Sequence, residues 1–233
     1  MIKHKILLGL TTTRGSDWRD KMREIDEFGI KEIAAFPTCL ELPERKELYE
    51  ALKGSKIESI PHLHIRSDME EWELDFFRDQ YGTELFNIHP SDEGLALISN
   101  NPEYQSKIYL ENTGELSNNF FSGLPNSAGL CLDFTHWYDY QYLQNRSDYQ
   151  NFDQTIRKYS IGCCHISAIK PNSCYVIEGD KKNLEFNSHT FANLSEFDYI
   201  NKVKEYLPEV ISIELSNTLK EQMEVKKYLE ELI

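Results

Sequence analysis

The chain has 233 residues, of which 40% are hydrophobic and 12% aromatic, so it can bury a sizeable core and is not a disordered polypeptide. Its 25 Lys and Arg against 39 Asp and Glu give a formal net charge of -14, which excludes nucleic-acid binding through basic side chains alone. The longest apolar runs fall short of the roughly 20 residues of a membrane span, and the amino-terminal residues enter a strand-like run rather than a signal peptide. We therefore expect a cytoplasmic protein without membrane contact, with residues 1–233 forming one domain.

Eight short runs rich in Ile, Val and Leu recur along the chain, and most are followed by a polar stretch with helical periodicity. This alternation is typical of repeated strand–helix units, and eight such units close into a single (β/α)8 TIM barrel of the α/β class. The runs comprise residues 5–11, 31–36, 57–65, 84–89, 107–112, 129–134, 160–167 and 210–215.

Start and stop signals for helices support this division. Gly29 follows the first helical stretch, where a left-handed residue commonly ends a helix. Ser67 and Glu70 have the spacing of a capping box before the third helix, and Thr218 and Glu221 repeat it before the last one. Residues 169–193 contain Pro, Gly and scattered charges, and we predict a long loop without structure of its own over one end of the barrel.

The five cysteines contain no C-x-x-C pair, and most of them lie in or beside apolar runs. We interpret them as reduced thiols that act as small buried hydrophobic residues. They are Cys39, Cys131, Cys163, Cys164 and Cys174.

Ionisable side chains are concentrated where the predicted strands end. The carboxyl ends of barrel strands meet around one pocket, and each of the last six runs brings a histidine or a carboxylate to it. A further histidine, His189, lies in the long insertion. The residues at the strand ends are His62, His64, His89, Glu111, Asp133, His136, His165 and Glu214.

Three carboxylates at one barrel mouth need positive charge, because burying each of them unpaired costs several kcal/mol. A divalent metal ion is the counter-charge that this residue set favours, and mixed imidazole and carboxylate ligands suit zinc, manganese, iron or cobalt better than magnesium or calcium. His62 and His64 share a face by the period-two rule, and we expect His62 to be the ligand and His64 to lie closer to the rim. The spacing of Asp133 and His136 suits two neighbouring metals.

Six local motifs resemble those of the xylose-isomerase-like TIM-barrel superfamily, which contains sugar isomerases and epimerases as well as the endonuclease IV class of apurinic/apyrimidinic endonucleases. The similarity runs through nearly the whole chain and is closest to the endonuclease IV class (AP endonuclease family 2). The motifs are Ile-Pro-His at 60–62, Asn-x-His-Pro at 87–90, Glu-Asn-Thr at 111–113, Leu-Asp-x-x-His at 132–136, His-Ile-Ser at 165–167 and Ile-Glu-Leu-Ser-Asn at 213–217.

The resemblance implies a ligand set. Four positions match the one-metal site of the epimerases, namely Glu111, Asp133, His165 and Glu214. Four more match the histidines that the endonuclease IV pattern adds to hold three zinc ions, namely His62, His89, His136 and His189. Asn187 stands where that pattern has an aspartate, and a neutral amide is a weak zinc ligand. The resemblance therefore implies one to three divalent ions, zinc or manganese, per chain.

Two enzymatic functions fit this constellation. In the first, a di- or trinuclear site activates water and hydrolyses a phosphoester, with Glu111 bridging two metals and a small phosphorylated compound or abasic nucleic acid as substrate. In the second, a single metal polarises a sugar or sugar phosphate while Glu111 and Glu214 transfer protons, as in an isomerase or epimerase. We predict substrate contacts from His64, Arg66 and Asn187. A non-catalytic barrel that stores metal is the third alternative.

Overall fold

The computed structural model describes residues 3–13, 15–178 and 181–233. It contains a parallel sheet of nine strands and a separate antiparallel hairpin of two. The strands are β1 (Lys5–Leu7), β2 (Gly9–Thr11), β3 (Ala34–Phe36), β4 (His62–His64), β5 (Leu85–Ile88), β6 (Ile108–Glu111), β7 (Leu130–Asp133), β8 (Ile161–Ile166), β9 (Ala168–Glu178), β10 (Lys181–Ser188) and β11 (Val210–Ile213).

The parallel sheet forms a nearly closed barrel. Its strand order is β1-β11-β8-β7-β6-β5-β4-β3-β2, so the two edge strands are consecutive in the chain and both belong to the first predicted run. Only Leu8 separates β1 from β2. The eight predicted runs therefore supply the wall of an α/β barrel, which confirms the predicted fold class.

Helices connect most of the strands, as the sequence predicted. Gly29 and Gly82 end their helices with φ values of 64° and 65°, the left-handed conformation that glycine adopts without strain. The helices are α1 (Trp18–Phe28), α2 (Leu42–Lys53), α3 (Glu71–Tyr81), α4 (Asp92–Asn100), α5 (Asn118–Gly123), α6 (Phe134–Trp137), α7 (Phe152–Ile156), α8 (Ile200–Val203) and α9 (Leu219–Leu232). In the described part of the chain, no helix is both long enough and apolar enough to cross a membrane.

The two predicted capping boxes had different outcomes. Thr218 and Glu221 form the box at the start of α9, as expected. Ser67 and Glu70 do not form one, because α3 begins three residues later and the box consists of Glu70 and Glu73. A serine and a glutamate at the right spacing are thus insufficient where the helix starts elsewhere.

The seam of the barrel is closed by α1 and α9. The Gly9 backbone N–H donates to Gln222 Oε1 at 2.7 Å, and Gln222 Nε2 donates back to the Gly9 carbonyl at 3.1 Å. Lys21 donates to the Leu215 carbonyl at 2.7 Å. A Cβ atom at position 9 would lie 2.0 Å from the Ile213 carbonyl oxygen, so only glycine permits this approach.

The segment predicted as a long loop is instead the β9–β10 hairpin, which is antiparallel and has a bulge between Glu185 and Asn187. Asp139 anchors it, because its Oδ2 accepts hydrogen bonds from the backbone N–H groups of Phe186 and Asn187 at 2.8 and 3.0 Å. Asp139 lies in a π-helical turn, Tyr138–Leu143, that follows α6. The prediction of an unstructured insertion was therefore wrong.

Successive side chains of each strand point to opposite faces of the sheet, either toward the helices or into the barrel. One set faces the helices and belongs to the main apolar core, which includes Leu10, Leu63, Leu110, Leu132 and Ile213. The other set includes a small separate cluster of Leu7, Ala34 and Phe36, together with polar residues. The polar positions of this second set form the site described below.

A buried ion pair fixes α2 against α3. Arg45 Nε and Nη2 donate to the two carboxylate oxygens of Glu73 at 2.8 and 2.9 Å, and Tyr49 donates its hydroxyl to the same carboxylate at 2.6 Å. The side chains of Arg45 and Glu73 are 1% and 0% exposed. The pair is therefore desolvated; Glu73 depends on Arg45 for its counter-charge, whereas Arg45 also contacts the more exposed Asp68 at 3.2 Å.

We expect Glu73→Gln to lower the free energy of unfolding by about 3 kcal/mol, because the substitution removes the buried anion and leaves Arg45 only the more exposed Asp68 at 3.2 Å. Urea titration followed by circular dichroism measures this. Glu71→Gln, an exposed carboxylate in the same helix, is the matched control and should change stability by less than about 0.5 kcal/mol. Equal effects of the two substitutions would contradict the role given to the pair.

Candidate metal centre

Glu111, at the end of β6, is the central carboxylate of the barrel mouth. Its side chain is 3% exposed, and its Oε2 accepts a hydrogen bond from Asn87 Nδ2 at 2.6 Å. His64 Nε2 lies 2.9 Å from the same oxygen, and His89 Nε2 lies 3.6 Å from Oε1. One carboxylate thus connects the ends of three neighbouring strands, β4, β5 and β6.

His165, in β8, lies between two carboxylates. Its Nδ1 is 3.3 Å from Glu214 Oε2 and 3.5 Å from Glu111 Oε2. Although the residue is fully buried, neither ring nitrogen has a hydrogen-bond partner in the described part of the chain. Buried polar atoms are normally paired, so these two nitrogens are available to a further ligand.

Asp133 ends β7 and is held by its neighbours. Asn112 accepts a hydrogen bond from the Asp133 N–H at 2.8 Å and donates to its carbonyl at 2.9 Å. The Asp133 carboxylate accepts from the backbone N–H of His136 at 2.7 Å, and His136 Nε2 lies 3.8 Å from it. The ring of His136 stacks on Tyr140 with an interplanar angle of 6°.

His189, at the end of the hairpin, lies on the far side of Glu214. Its Nδ1 is 3.2 Å from the Glu214 carbonyl oxygen and 3.4 Å from Ser167 Oγ. The insertion therefore brings a histidine back to the mouth, and this position is the one at which the resemblance places a metal ligand.

The mouth fits a divalent cation. Two overlapping groups of side chains have potential ligand atoms within 4.8 Å of one another: His64 with His89 and Glu111, and Glu111 with Asp133 and His165. In the described residues, the ion-pair partners of Glu111, Asp133 and Glu214 are all histidines rather than lysines or arginines. We call Glu111, Asp133, His165 and Glu214 the mouth cluster.

Electrostatic coupling to imidazoles keeps Glu111 and Glu214 ionised, whereas burial raises the pKa of Asp133. Burial alone would raise the pKa of Glu111, but the surrounding imidazoles, led by His165 and His64, hold it well below its usual range. Burial also opposes ionisation of Glu214, yet His189 and His165 lower its pKa to about 2. Conversely, burial would lower the pKa of His165, but Glu111 and Glu214 raise it well above the usual value.

His62 lies deeper in the barrel than His64, which is closer to the rim as expected, and it does not contact the mouth carboxylates. Its Nε2 is bonded to Asn87 Oδ1 at 2.9 Å and its Nδ1 to Ser212 Oγ at 2.7 Å, one layer beneath the mouth. His64 approaches Glu111 instead. Alternation along β4 correctly put both rings inside the barrel but did not fix which of them reaches the carboxylate.

Two of the predicted substrate contacts are engaged elsewhere. Asn187 borders the mouth, but its amide Nδ2 donates to Asp139 at 2.8 Å and so supports the hairpin. Arg66 donates to Asp68 at 2.8 Å, to Glu41 at 3.1 Å and to the Thr38 carbonyl at 3.1 Å. The third, His64, borders the cavity above Glu111.

A cavity of about 550 Å³ opens above the mouth cluster, a size suited to a small molecule. Its described lining contains no lysine or arginine.

Cys39 and Cys174, interpreted from sequence as buried, are both exposed and line this cavity, whereas the other three cysteines are buried. Asn87 was missed in the sequence, although it lies two residues before His89, on the same face of β5.

No protein-family model matches this chain, and no curated protein matches it by similarity. A solved structure, a truncated form of 3-deoxy-D-arabino-heptulosonate 7-phosphate synthase from Thermotoga maritima, is similar with a TM-score of 0.53 and 11% sequence identity. The match covers 99% of this chain and 87% of that one. Similarity at this identity shows a shared fold, and it places the chain in the TIM-barrel class without distinguishing the xylose-isomerase-like superfamily or the endonuclease IV class within it.

The predicted function is corrected by this comparison. The similar solved protein is a synthase, so the comparison contradicts a phosphoester hydrolase, and it does not support the alternative of a sugar isomerase or epimerase. The geometry also departs from the predicted trinuclear arrangement, because His62 lies below the mouth and the Asn187 amide is turned to Asp139.

We expect metal binding at the mouth cluster to release protons and to strengthen as pH rises. The raised pKa of His165 means that an ion displaces a proton from this ring at neutral pH, whereas Glu111 and Glu214 are already ionised and release none. Calorimetric titration with Mn²⁺ in two buffers of different ionisation enthalpy counts the protons. His4→Gln, a histidine outside the barrel mouth, is the control. Binding that is independent of pH between 6 and 8, about where histidine titrates, would contradict this assignment.

Proposed function

We propose that this protein is a divalent-metal-dependent enzyme that makes or breaks a carbon–carbon bond beside the carbonyl of a small, neutral, hydroxylated compound. The observation that carries the metal requirement is the buried His165, whose ring nitrogens have no hydrogen-bond partner among the described residues although two carboxylates lie within 3.5 Å. The word synthase in the name of the similar protein denotes bond formation and supports this reaction class. The order of the motifs supports placement among the xylose-isomerase-like barrels.

The mouth cluster would hold the ion. Glu111, Asp133 and His165 have ligand atoms within 4.8 Å of one another, and Glu214 adds an oxygen 3.3 Å from His165. This mixed oxygen and nitrogen donor set suits zinc or manganese. A divalent ion bound there supplies Lewis acidity, which polarises a carbonyl oxygen and acidifies the adjacent C–H.

His64 and His89 fit a proton-transfer role better than a ligand role. Their Nε2 atoms lie 3.2 Å apart, so each already has a partner, unlike the nitrogens of His165. The His89 side chain is 58% exposed, and the residue lines the cavity, so Nε2 can take a proton from bound substrate or return it. His64 is buried with its Nε2 2.9 Å from Glu111 Oε2, and this contact orients the pair.

The charge of the cavity selects the substrate class. A phosphate group would find no lysine or arginine in the described lining, and Glu111 and Glu214 would repel it. Arg146 lines an adjoining cavity but is paired with Asp148 at 2.8 Å. A neutral compound rich in hydroxyl groups meets hydrogen-bonding side chains instead, among them Thr13, Thr38 and Ser216.

We expect turnover only with metal and preferentially with neutral substrates. Protein stripped with a chelator and reloaded with Mn²⁺, Zn²⁺ or Co²⁺ would be assayed for aldol cleavage and condensation, using neutral hydroxyketones and hydroxyaldehydes beside their phosphorylated counterparts. Activity should disappear with the chelator and return with the ion. Turnover without metal would contradict the proposed chemistry, and a preference for the phosphorylated series would contradict the substrate class.

We expect His89→Gln to lower kcat by about 100-fold to 10,000-fold, because it removes the group that exchanges the substrate proton. The number of ions bound per chain should stay unchanged, since His89 is not placed in the mouth cluster. Steady-state kinetics and elemental analysis measure the two quantities, with His4→Gln as the matched control. A loss of bound metal in His89→Gln would show that His89 is a ligand rather than an acid–base group.

A further inference from the structure

Beneath the mouth cluster, a second group of metal-ligating side chains lies inside the barrel. We call His62, Cys131, Cys163 and His165 the inner cluster; all four residues are 0% exposed. The potential ligand atoms of His62, Cys131 and His165 lie within 4.8 Å of one another. Cys163 is the register partner of Cys131 across β7 and β8 and is buried inside the barrel beside this group.

His165 belongs to both clusters. Its Nδ1 faces Glu111 and Glu214, and the two nitrogens of an imidazole point away from each other, so Nε2 is directed away from these carboxylates. Like Nδ1, it is buried and makes no hydrogen bond. The ring lies beside that of His62, with centroids 5.3 Å apart. A neutral imidazole has one lone pair, so with the mouth cluster empty the proton stays on Nδ1 beside the carboxylates and Nε2 is free to bind an ion inside the barrel. With ions in both clusters His165 would bridge them as an imidazolate, its second proton being displaced to solvent.

The lone pair of His62 is also directed by its neighbours. Asn87 Nδ2 donates to Glu111, which turns Asn87 Oδ1 toward His62 Nε2. Because Oδ1 only accepts, the proton of the neutral ring is on Nε2 and the lone pair is on Nδ1. That lone pair accepts from the hydroxyl of Ser212 at 2.7 Å, so an ion reaches it when the Ser212 side chain turns to another rotamer.

We propose that the inner cluster is a second metal site, which binds a thiophilic divalent cation of the zinc class. Two thiolates and two imidazoles are a common tetrahedral zinc donor set. Two thiolates balance the charge of the ion, which suits a fully buried position far better than a net charge would. Since β4, β7 and β8 supply the ligands, the ion would join three strands and fix the His165 ring beneath the mouth cluster.

Cadmium tests the site, because Cd²⁺ bound to thiolates absorbs in the ultraviolet by ligand-to-metal charge transfer. The titration is done on reduced, chelator-treated protein carrying Cys39→Ser and Cys174→Ser, which removes the two exposed thiols. We expect a thiolate band that saturates at one ion. Cys131→Ser with Cys163→Ser should abolish the band, and Cys164→Ser should retain it, since Cys164 is buried in the main core on the other face of β8.

Loss of the band also needs to be separated from misfolding. X-ray absorption of the zinc-loaded Cys39→Ser, Cys174→Ser protein requires no change in the inner cluster, and we expect sulfur neighbours at about 2.3 Å. Three results would each overturn the proposal. The zinc coordination shell could contain only nitrogen and oxygen, the cadmium band could be absent, or the band could persist without Cys131 and Cys163.

The outcome is independent of the proposed function. Glu214→Gln should weaken Mn²⁺ binding at the mouth cluster while leaving the cadmium–thiolate band intact, because Glu214 is outside the inner cluster. Mn²⁺ binding without a cadmium band refutes the inner site alone. A cadmium band without Mn²⁺ binding refutes the mouth site alone.

Discussion

The mouth of this barrel is organised by the need to bury three carboxylates without a lysine or arginine in ion-pair contact. Glu111, Asp133 and Glu214 are each less than about a tenth exposed, and the charge that compensates them comes from imidazoles. His165 lies within 3.5 Å of two of these carboxylates, and its ring nitrogens have no hydrogen-bond partner among the described residues. A cation relieves repulsion among the carboxylates and gives the imidazole nitrogens a partner in one step.

Much of the fold was readable from the sequence because it follows from local periodicity. Alternating apolar runs and amphipathic stretches specify strand–helix units, and a polar residue at the end of a parallel strand must face the barrel mouth. What the sequence could not determine depends on contacts between distant segments. The depths of His62 and His64 in the barrel depend on strand stagger, and the direction of the Asn187 amide depends on Asp139, 48 residues away.

The functional prediction failed for a related reason. Histidines at matching strand ends show which side chains could bind a metal, but not whether they act together on one substrate. In addition, one barrel fold supports many reactions. His165 lacks a hydrogen-bond partner among the described residues, whereas His64 and His89 are paired with each other. This difference depends on interatomic distances, which a sequence motif does not contain. Asn87 illustrates the same point, because its role comes from joining Glu111 to His62 rather than from any chemistry of its own.

The seam at Gly9 has a consequence for the order of folding. Its hydrogen bonds to Gln222 connect positions 213 residues apart, so the ring cannot close until the last helix has docked against the first strands. Contacts of such long range carry a large loop-closure entropy and form late. We therefore expect the facing edges of β1 and β2 to stay unpaired until the segment that carries Gln222 has been synthesised and has docked.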